Sequence, residues 1–321
     1  MTKDSGGQTE SNNGKGENTD PPTTLTPDMS TSSLTPGTIM GPLPPGVDAS
    51  LDPLIKARLG NLVVEGILGR GGFGTVYKAH DVKLNRTVAV KVLRNALDPE
   101  HRRLFEREAK AIASLSKHPS IIQIFEWGEH EGRFFFVLEY AEINAAQLLD
   151  EYTDGMPVAR ALQIALEAAE ALDYAHQRGI PHRDIKPANL LISKEFGKVK
   201  VADFGIAKIQ GLDSCTTSGH ISGSPPYMSP EQVEGKDVDE RSDIYAVGVI
   251  LFEMLTGRVP FEGETALGVA LKQKTEPPPD PRAVNPQISE ELGRVILRCL
   301  EKETGRRYEK IDDLRAELKR I

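Results

Sequence analysis

Cysteine is scarce in this chain. Two occur in 321 residues, Cys215 and Cys299, and neither stands in a zinc-ligand pattern. Such usage builds no disulfide framework and fits a reducing compartment. Basic residues are not in excess: 39 Lys and Arg face 47 Asp and Glu, for a net charge of −8. That balance argues against a broad nucleic-acid-binding or polybasic membrane surface. Long apolar runs are missing too. The longest is Ile244–Phe252, ended by Glu253, whereas a bilayer span needs about 20 residues. The first 20 residues are polar and lack the apolar core of a secretory signal. The chain stops within a helical pattern at Ile321, so a longer parent with a membrane span beyond that residue stays open.

Aromatic residues are absent before Phe73, and the first 50 residues hold 9 Thr, 7 Pro, 7 Gly and 6 Ser. So little apolar surface does not repay the entropy of ordering. Residues 1–55 are therefore expected to form a disordered tail, and residues 59–321 a folded domain. The tail hydroxyls suit docking or phosphorylation, but nothing in them locates a site. The first 50 residues carry 2 basic and 6 acidic side chains, half of the total charge of −8.

From about residue 59 to 140 the pattern is mostly β. Val63–Leu68, Thr75–Ala79, Thr87–Leu93 and Arg133–Glu139 are short runs rich in β-branched or aromatic side chains. One helix is expected among them, Pro99–Leu115, with Leu104, Phe105, Ile112 and Leu115 at helical spacing. From about Pro157 the period changes. Val158–Arg178 aligns Leu162, Ala165, Ala169, Leu172 and His176 on one stripe. Asp243–Gly257 is apolar nearly all round, which suits a buried central helix, while Ser289–Glu301 and Tyr308–Ile321 are amphipathic. The change of period predicts two lobes: a small sheet lobe with one helix, then a larger helical lobe.

Four motifs carry chemistry. The first is Gly69-Arg70-Gly71-Gly72-Phe73-Gly74-Thr75-Val76. Glycines let backbone amides approach phosphate oxygens closely. A dinucleotide site would follow such glycines with a helix; here the strand Thr75–Ala79 follows, so the glycines form a hairpin. The second is Val88-Ala89-Val90-Lys91. Alternation sets Lys91 beside Ala89, on the face toward the glycine hairpin. A lysine on a half-buried strand needs a carboxylate. Glu108 on the following helix is the choice, with Glu106, half a turn away, as its rival. The third motif is His182-Arg183-Asp184-Ile185-Lys186-Pro187-Ala188-Asn189 and the fourth Asp203-Phe204-Gly205. Asn189 and Asp203 supply the oxygens that Mg²⁺ prefers. Asp184 is then left to receive a proton from an incoming hydroxyl, and Lys186 to neutralise a phosphoryl group in flight.

In this order the motifs resemble the eukaryotic-type protein kinase family, in its serine/threonine branch. RDIKPANLLI and GSPPYMSPEQ are most similar to the bacterial members. The resemblance runs from about Leu59 to Ile321, through Ser229-Pro230-Glu231 (where the family usually has Ala-Pro-Glu), Ser242–Gly248 and Arg307. It implies an α+β, two-lobed protein kinase fold. The N-terminal antiparallel sheet lobe with one main helix would span about 59–140, and the mainly helical C-terminal lobe about 141–321. It implies a non-specific serine/threonine protein kinase that moves the γ-phosphate of ATP to protein hydroxyls with Mg²⁺, or with Mn²⁺ as a substitute.

The same resemblance assigns roles. The loop Gly69 to Gly74, including Arg70, Gly71, Gly72 and Phe73, would cover the phosphates. Lys91, steadied by Glu108, would hold the α- and β-phosphates. Glu139 and Ala141 would offer backbone hydrogen bonds to adenine, Leu138 would guard the deep pocket, and Val76, Ala89 and Leu191 would sandwich the ring. Ile112, Ile124, His182 and Phe204 would form a spine anchored by Asp243, and Glu231 would pair with Arg307. Lys186 with a hydroxyl at Ser224 goes with Ser/Thr acceptors; Thr is commoner there, and Ser keeps the hydroxyl. Many bacterial members carry a membrane span and sensor after this domain, so a cytoplasmic kinase domain is expected, tethered to the membrane if the natural chain is longer.

Two departures bear on specificity. Glu142-Ile143-Asn144-Ala145-Ala146 and Ala188 lack carboxylates that attract basic residues in arginine-seeking relatives. Arginine three residues before the acceptor is therefore not expected to be required. Regulation has its own signal. Arg183 beside Asp184, with Lys208 nearby, offers a cationic seat for a phosphate. Thr216 and Thr217 lead the candidate autophosphorylation sites, with Ser214, Ser218 and Ser222 also in the segment. Modification in trans implies a transient dimer of two kinase copies. The alternatives are a pseudokinase, acting as a nucleotide-binding interaction module, a small-molecule kinase of related fold, and a nucleic-acid binder. The first is opposed by the presence of Lys91, Asp184, Asn189 and Asp203 together, and the last by the lack of a basic stripe.

Overall fold

The computed structural model describes residues 52–71, 74–93, 109–110, 112–193, 197–204 and 223–321. The expected tail up to residue 51, the loop tip at Gly72 and Phe73, Glu106 and Glu108, and the hydroxyls Ser214, Thr216, Thr217, Ser218 and Ser222 lie outside them.

The first lobe is a six-stranded antiparallel sheet. Its strands are β1 (Arg58–Leu59), β2 (Leu62–Gly71), β3 (Gly74–Asp81), β4 (Arg86–Leu93), β5 (Ile124–His130) and β6 (Arg133–Glu139). Their spatial order is β1-β2-β3-β4-β6-β5. Strand alternation sorts the β4 side chains. Val88, Val90 and Val92 join Leu62, Val64 and Tyr77 in a cluster on one face. Ala89 and Leu93 join Val76, Phe136 and Leu138 in a core that continues into the second lobe. With both faces covered, Lys91 is carried into the interior between the lobes. Gly74 has a packing reason: a Cβ there would stand 2.1 Å from the Val92 carbonyl oxygen.

Strand β5 is absent from the sequence reading. Glu126, Glu129 and His130 interrupt its apolar pattern, and as the sheet's edge it is only half-buried. Its pairing is tertiary: Gly128 sits against the Phe135 ring, 2.7 Å from where a Cβ would stand. Of the expected Pro99–Leu115 helix, residues 109–110 and 112–115 are helical. Within the tail expected up to residue 55, Leu54 is buried against Leu59 and Leu62. Asp52 accepts hydrogen bonds from Arg70 and the Tyr77 hydroxyl.

The second lobe is mainly helical, as expected. The short strand β7 (Ile143–Asn144) leads into α1 (Ala145–Leu149), and α2 (Val158–His176) follows. Strands β8 (Leu190–Ile192) and β9 (Val199–Val201) pair with β7 in the order β7-β8-β9. Then come α3 (Pro230–Val233), α4 (Arg241–Thr256), α5 (Ala266–Thr275), α6 (Pro281–Val284), α7 (Glu290–Cys299) and α8 (Ile311–Leu318). The all-round apolar pattern of α4 has the expected result: every residue from Ser242 to Thr256 except Glu253 is buried. Gly257 ends it at φ 73°, where a Cβ would meet the Thr153 carbonyl oxygen at 2.0 Å. Asn189 stands just before β8 and Asp203 shortly after β9, so this small sheet brings their side chains to the same place.

Candidate active site

Lys91 is buried, and its Nζ donates to Oδ2 of Asp203 at 2.7 Å, across 112 residues of sequence. Both side chains are nearly closed to solvent. A buried lysine is tolerated when paired with a carboxylate, and Asp203 fills that requirement among the described residues. Asp203 takes a left-handed backbone at φ 66°. Such a conformation is strained for a side chain larger than glycine and clusters at functional sites.

Asp203 Oδ1 and Asn189 Oδ1 are buried oxygens without a hydrogen-bond partner among the described residues. The rest of Asn189 is tied down. Its Nδ2 donates to the Asp184 carbonyl at 2.8 Å, and its own carbonyl accepts from Ala202 N at 2.9 Å. Leaving a buried acceptor unpaired costs about 1–3 kcal/mol. Two such oxygens, one amide and one carboxylate, make the donor set that a hard divalent cation takes.

Asp184 is partly open to solvent, and its Oδ2 accepts from Lys186 Nζ at 2.9 Å. The same ammonium donates to Ser224 Oγ at 2.9 Å. Lys186 is buried, so its charge is balanced at close range. The arrangement leaves a carboxylate and a hydroxyl side by side on one ammonium, with the unpartnered oxygens of Asn189 and Asp203 on the neighbouring strand ends.

Behind this loop stands Asp243 on α4. Its Oδ1 accepts Arg183 N at 2.8 Å, and its Oδ2 accepts His182 N at 2.8 Å and pairs with His176 Nε2 at 2.7 Å. Arg183 has φ 69°, so these bonds brace a strained turn. Burial favours the neutral acid, but His176 and the backbone donors outweigh it and hold Asp243 below the usual carboxylate range. His182 Nε2 donates to the Ala202 carbonyl at 2.7 Å while its Nδ1 accepts from Asp184 N. Its ring lies 4.7 Å from that of Phe204. Phe204, Ile112, Ile124 and Leu138 line one small apolar cavity between the lobes.

The remaining expected residues fall as follows. Arg70 donates to Asp52 at 2.7 Å. Val76 faces Lys91 across the β3–β4 pair, and Ala89 faces Leu138 across β4–β6. Leu191 and Ala141 are buried in the same core. Glu139 N donates to the Gln123 carbonyl, and its carboxylate pairs with Lys200 at 2.8 Å. Arg307 grips Glu231 with two guanidinium nitrogens, at 2.7 and 2.8 Å, and Ser242 Oγ donates to the same carboxylate. Burial opposes the charge of Glu231, but Arg307 holds its pKa below the usual range.

Three features escape the sequence reading. His176 is legible only as part of the α2 stripe, although a histidine on an apolar stripe asks for a partner. Tyr227 donates to Glu253 at 2.8 Å; burial pushes that carboxyl up to about 7, with the Tyr227 bond opposing. Glu253 is the one interruption in the apolar run, which is its signal. Gln232 Nε2 donates to the Arg183 carbonyl at 2.6 Å, and no local pattern announces it.

Comparison with known proteins places this geometry in context. The protein kinase domain family matches residues 62–316. The chain is 40% identical over 272 residues to the serine/threonine-protein kinase PrkC of Bacillus subtilis, covering 83% of this chain and 41% of that protein. It is 43% identical over 264 residues to the serine/threonine-protein kinase PknB of Mycobacterium leprae, covering 79% of this chain and 42% of that one. The probable serine/threonine-protein kinase SCO3848 of Streptomyces coelicolor is 39% identical over 260 residues, 78% of this chain and 38% of its own length. The chain thus spans about two fifths of the length of these relatives.

Proposed function

We propose that this chain, which belongs to the protein kinase family in its bacterial serine/threonine branch, transfers the γ-phosphate of ATP to Ser and Thr hydroxyls of proteins. The observation that carries the proposal is the convergence of Lys91, Asp184, Lys186, Asn189, Asp203 and Ser224 from four separate segments into two hydrogen-bonded groups, Lys91 with Asp203 and Asp184 with Lys186, Ser224 and Asn189, joined where Ala202 N donates to the Asn189 carbonyl.

Lys91 is placed to engage nucleotide phosphates, exchanging its contact with Asp203 for them. Asn189 Oδ1 and Asp203 Oδ1 would hold Mg²⁺, because they are buried acceptors in want of a partner. Bound there, the ion would neutralise phosphate charge. Asp184 would orient the acceptor hydroxyl and take its proton on its carboxylate, whose Oδ2 is steadied by Lys186. Lys186 stabilises negative charge on the phosphoryl oxygens and, through Ser224, fixes the acceptor side of the cleft. The deep face would be Val76, Ala89, Leu138 and Leu191 around adenine, with the Glu139 and Ala141 backbone at its edge. Catalysis of this kind is positioning and charge stabilisation rather than covalent chemistry.

The segment from Gly205 to Ser229 supplies the autophosphorylation sites of this reading, led by Thr216 and Thr217, in an encounter between two copies. Need of ATP and the sparing use of cysteine support a cytoplasmic location for the domain. No helix among the described residues is long and apolar enough to cross a membrane.

The test is transfer from radiolabelled ATP with Mg²⁺, comparing wild type with D184A on a generic protein substrate and on the chain itself. Label on Ser or Thr with wild type alone is expected. ATP binding without label in either protein would overturn turnover and leave a nucleotide-binding interaction module.

A further inference from the structure

Pro225 and Pro226 follow Ser224 directly. Proline has no N–H, so this stretch presents only carbonyls for a neighbour to hold. Helix α5 supplies the donor. Gln273 lies on the same helix face as Val269 and Ala270 and is fully buried. A buried amide is costly unless its bonding capacity is filled. Here Nε2 donates to the Pro226 carbonyl and, at 3.4 Å, to that of Pro225, while Oε1 accepts the Tyr245 hydroxyl of α4. The Tyr245 hydroxyl accepts in turn from Lys302 Nζ at 3.1 Å, and the same ammonium donates to the Gln273 carbonyl at 2.7 Å. The Phe261 ring stands 4.0 Å from that ammonium. The bonds from Lys302 through Tyr245 and Gln273 all point one way, toward residues 225–226, with a positive charge at the far end. In a low-dielectric interior such a chain polarises along its length.

We propose that Gln273, backed by Tyr245 and Lys302, is a positioning relay that holds residues 224–227 as the ledge against which the protein acceptor docks. The inference rests on the phosphoryl-transfer reading above. Ser224 is joined through Lys186 to Asp184, so the residues next to it flank the place where an acceptor hydroxyl must lie. Gln273 touches neither the nucleotide nor the reacting atoms. It acts through two backbone carbonyls, and its loss affects capture of the acceptor more than capture of ATP.

The charge on Lys302 gives the relay a pH dependence. Burial first and Arg307 second, with Glu276 opposing, bring this lysine down to about 8. Arg307 also lies over the Tyr245 ring, 4.9 Å away, with Glu231 as its partner. Glu231 is held below the usual carboxylate range and burial pushes the Tyr245 hydroxyl up, so Lys302 is the member of the relay that titrates near pH 8.

Wild type, Q273M, K302M and K302R are compared by hydrogen exchange over residues 223–233 and by steady-state kinetics at pH 7 and 9. Tyr227 N and Met228 N donate within this segment, to the Ser224 and Pro225 carbonyls. In Q273M those amides are expected to exchange about tenfold faster, with the acceptor KM raised about tenfold and the ATP KM unchanged, the scale of one lost buried hydrogen bond. K302M should move both readouts the same way. K302R should match wild type at pH 7 and lose the rise in acceptor KM that wild type shows at pH 9. Unchanged exchange in Q273M overturns the relay, whether or not the enzyme turns over. Faster exchange with an unchanged acceptor KM overturns the docking role. If Q273M does not fold, equal exchange in K302M and K302R overturns the relay instead. A wild type that never labels the acceptor fails the phosphoryl-transfer reading, while the exchange measurements still judge the relay.

Discussion

His176 Nε2 lies 2.7 Å from Oδ2 of Asp243, the carboxylate that also accepts the backbone N–H groups of His182 and Arg183. Burial disfavours protonation of His176, but Asp243 outweighs it, and the imidazole is held above its ordinary value. A raised histidine adds stability that is fully present below its unfolded value of about 6.5 and is lost as pH rises through the folded value. The depressed Asp243 adds stability above its own unfolded value of about 3.9, lost as pH falls through the folded one. Denaturant melts between pH 6 and 9 should therefore show wild type losing stability relative to H176Q. Parallel curves for the two proteins would refute the assignment.

Glu253 behaves in the opposite sense. Burial raises it to about 7, and the Tyr227 hydroxyl only partly relieves this. Ionising a raised carboxyl costs stability as pH climbs from its unfolded value through its folded one. E253Q keeps an acceptor for Tyr227 and cannot ionise. It should gain on wild type by roughly 3 kcal/mol between pH 4 and pH 8, read from urea midpoints. A constant difference across that range would show that Glu253 is not buried as a neutral acid.

The Glu231–Arg307 pair is buried and two-pronged. R307M leaves a carboxylate without its cation and should cost about 3–5 kcal/mol. E231L combined with R307M should cost less than R307M alone, since no orphaned charge remains. A double-mutant cycle in guanidinium measures the coupling, and additive losses would remove the pair's significance.

Metal binding is read without turnover. Mg²⁺ added with ATP should raise the melting temperature of wild type above the value with ATP alone. In D203A that increment should vanish while the melt without ligand stays cooperative. An undiminished Mg²⁺ increment in D203A would move the metal site elsewhere.

Much of this molecule is determined by residues near one another in the chain. The alternation of Val88, Val90 and Val92 against Ala89 and Lys91 assigns β4 its two faces, because a strand has a period of two. The apolar run from Ile244 to Phe252 makes α4 a buried helix, because no face of it suits water. Glycines between two β runs make a hairpin whatever surrounds them. Resemblance adds the pairing of Glu231 with Arg307, 76 residues apart, which no local pattern contains. What only the tertiary structure decides is which polar group meets which. It brings Asp203 to Lys91, gives His176 a carboxylate, makes an edge strand of the charged β5 sequence, and turns the Gln273 amide toward two proline carbonyls. Those choices depend on how the lobes and helices pack. Once packing removes water, each buried donor must find an acceptor, and the acceptor within reach is set by the fold rather than by neighbours in sequence.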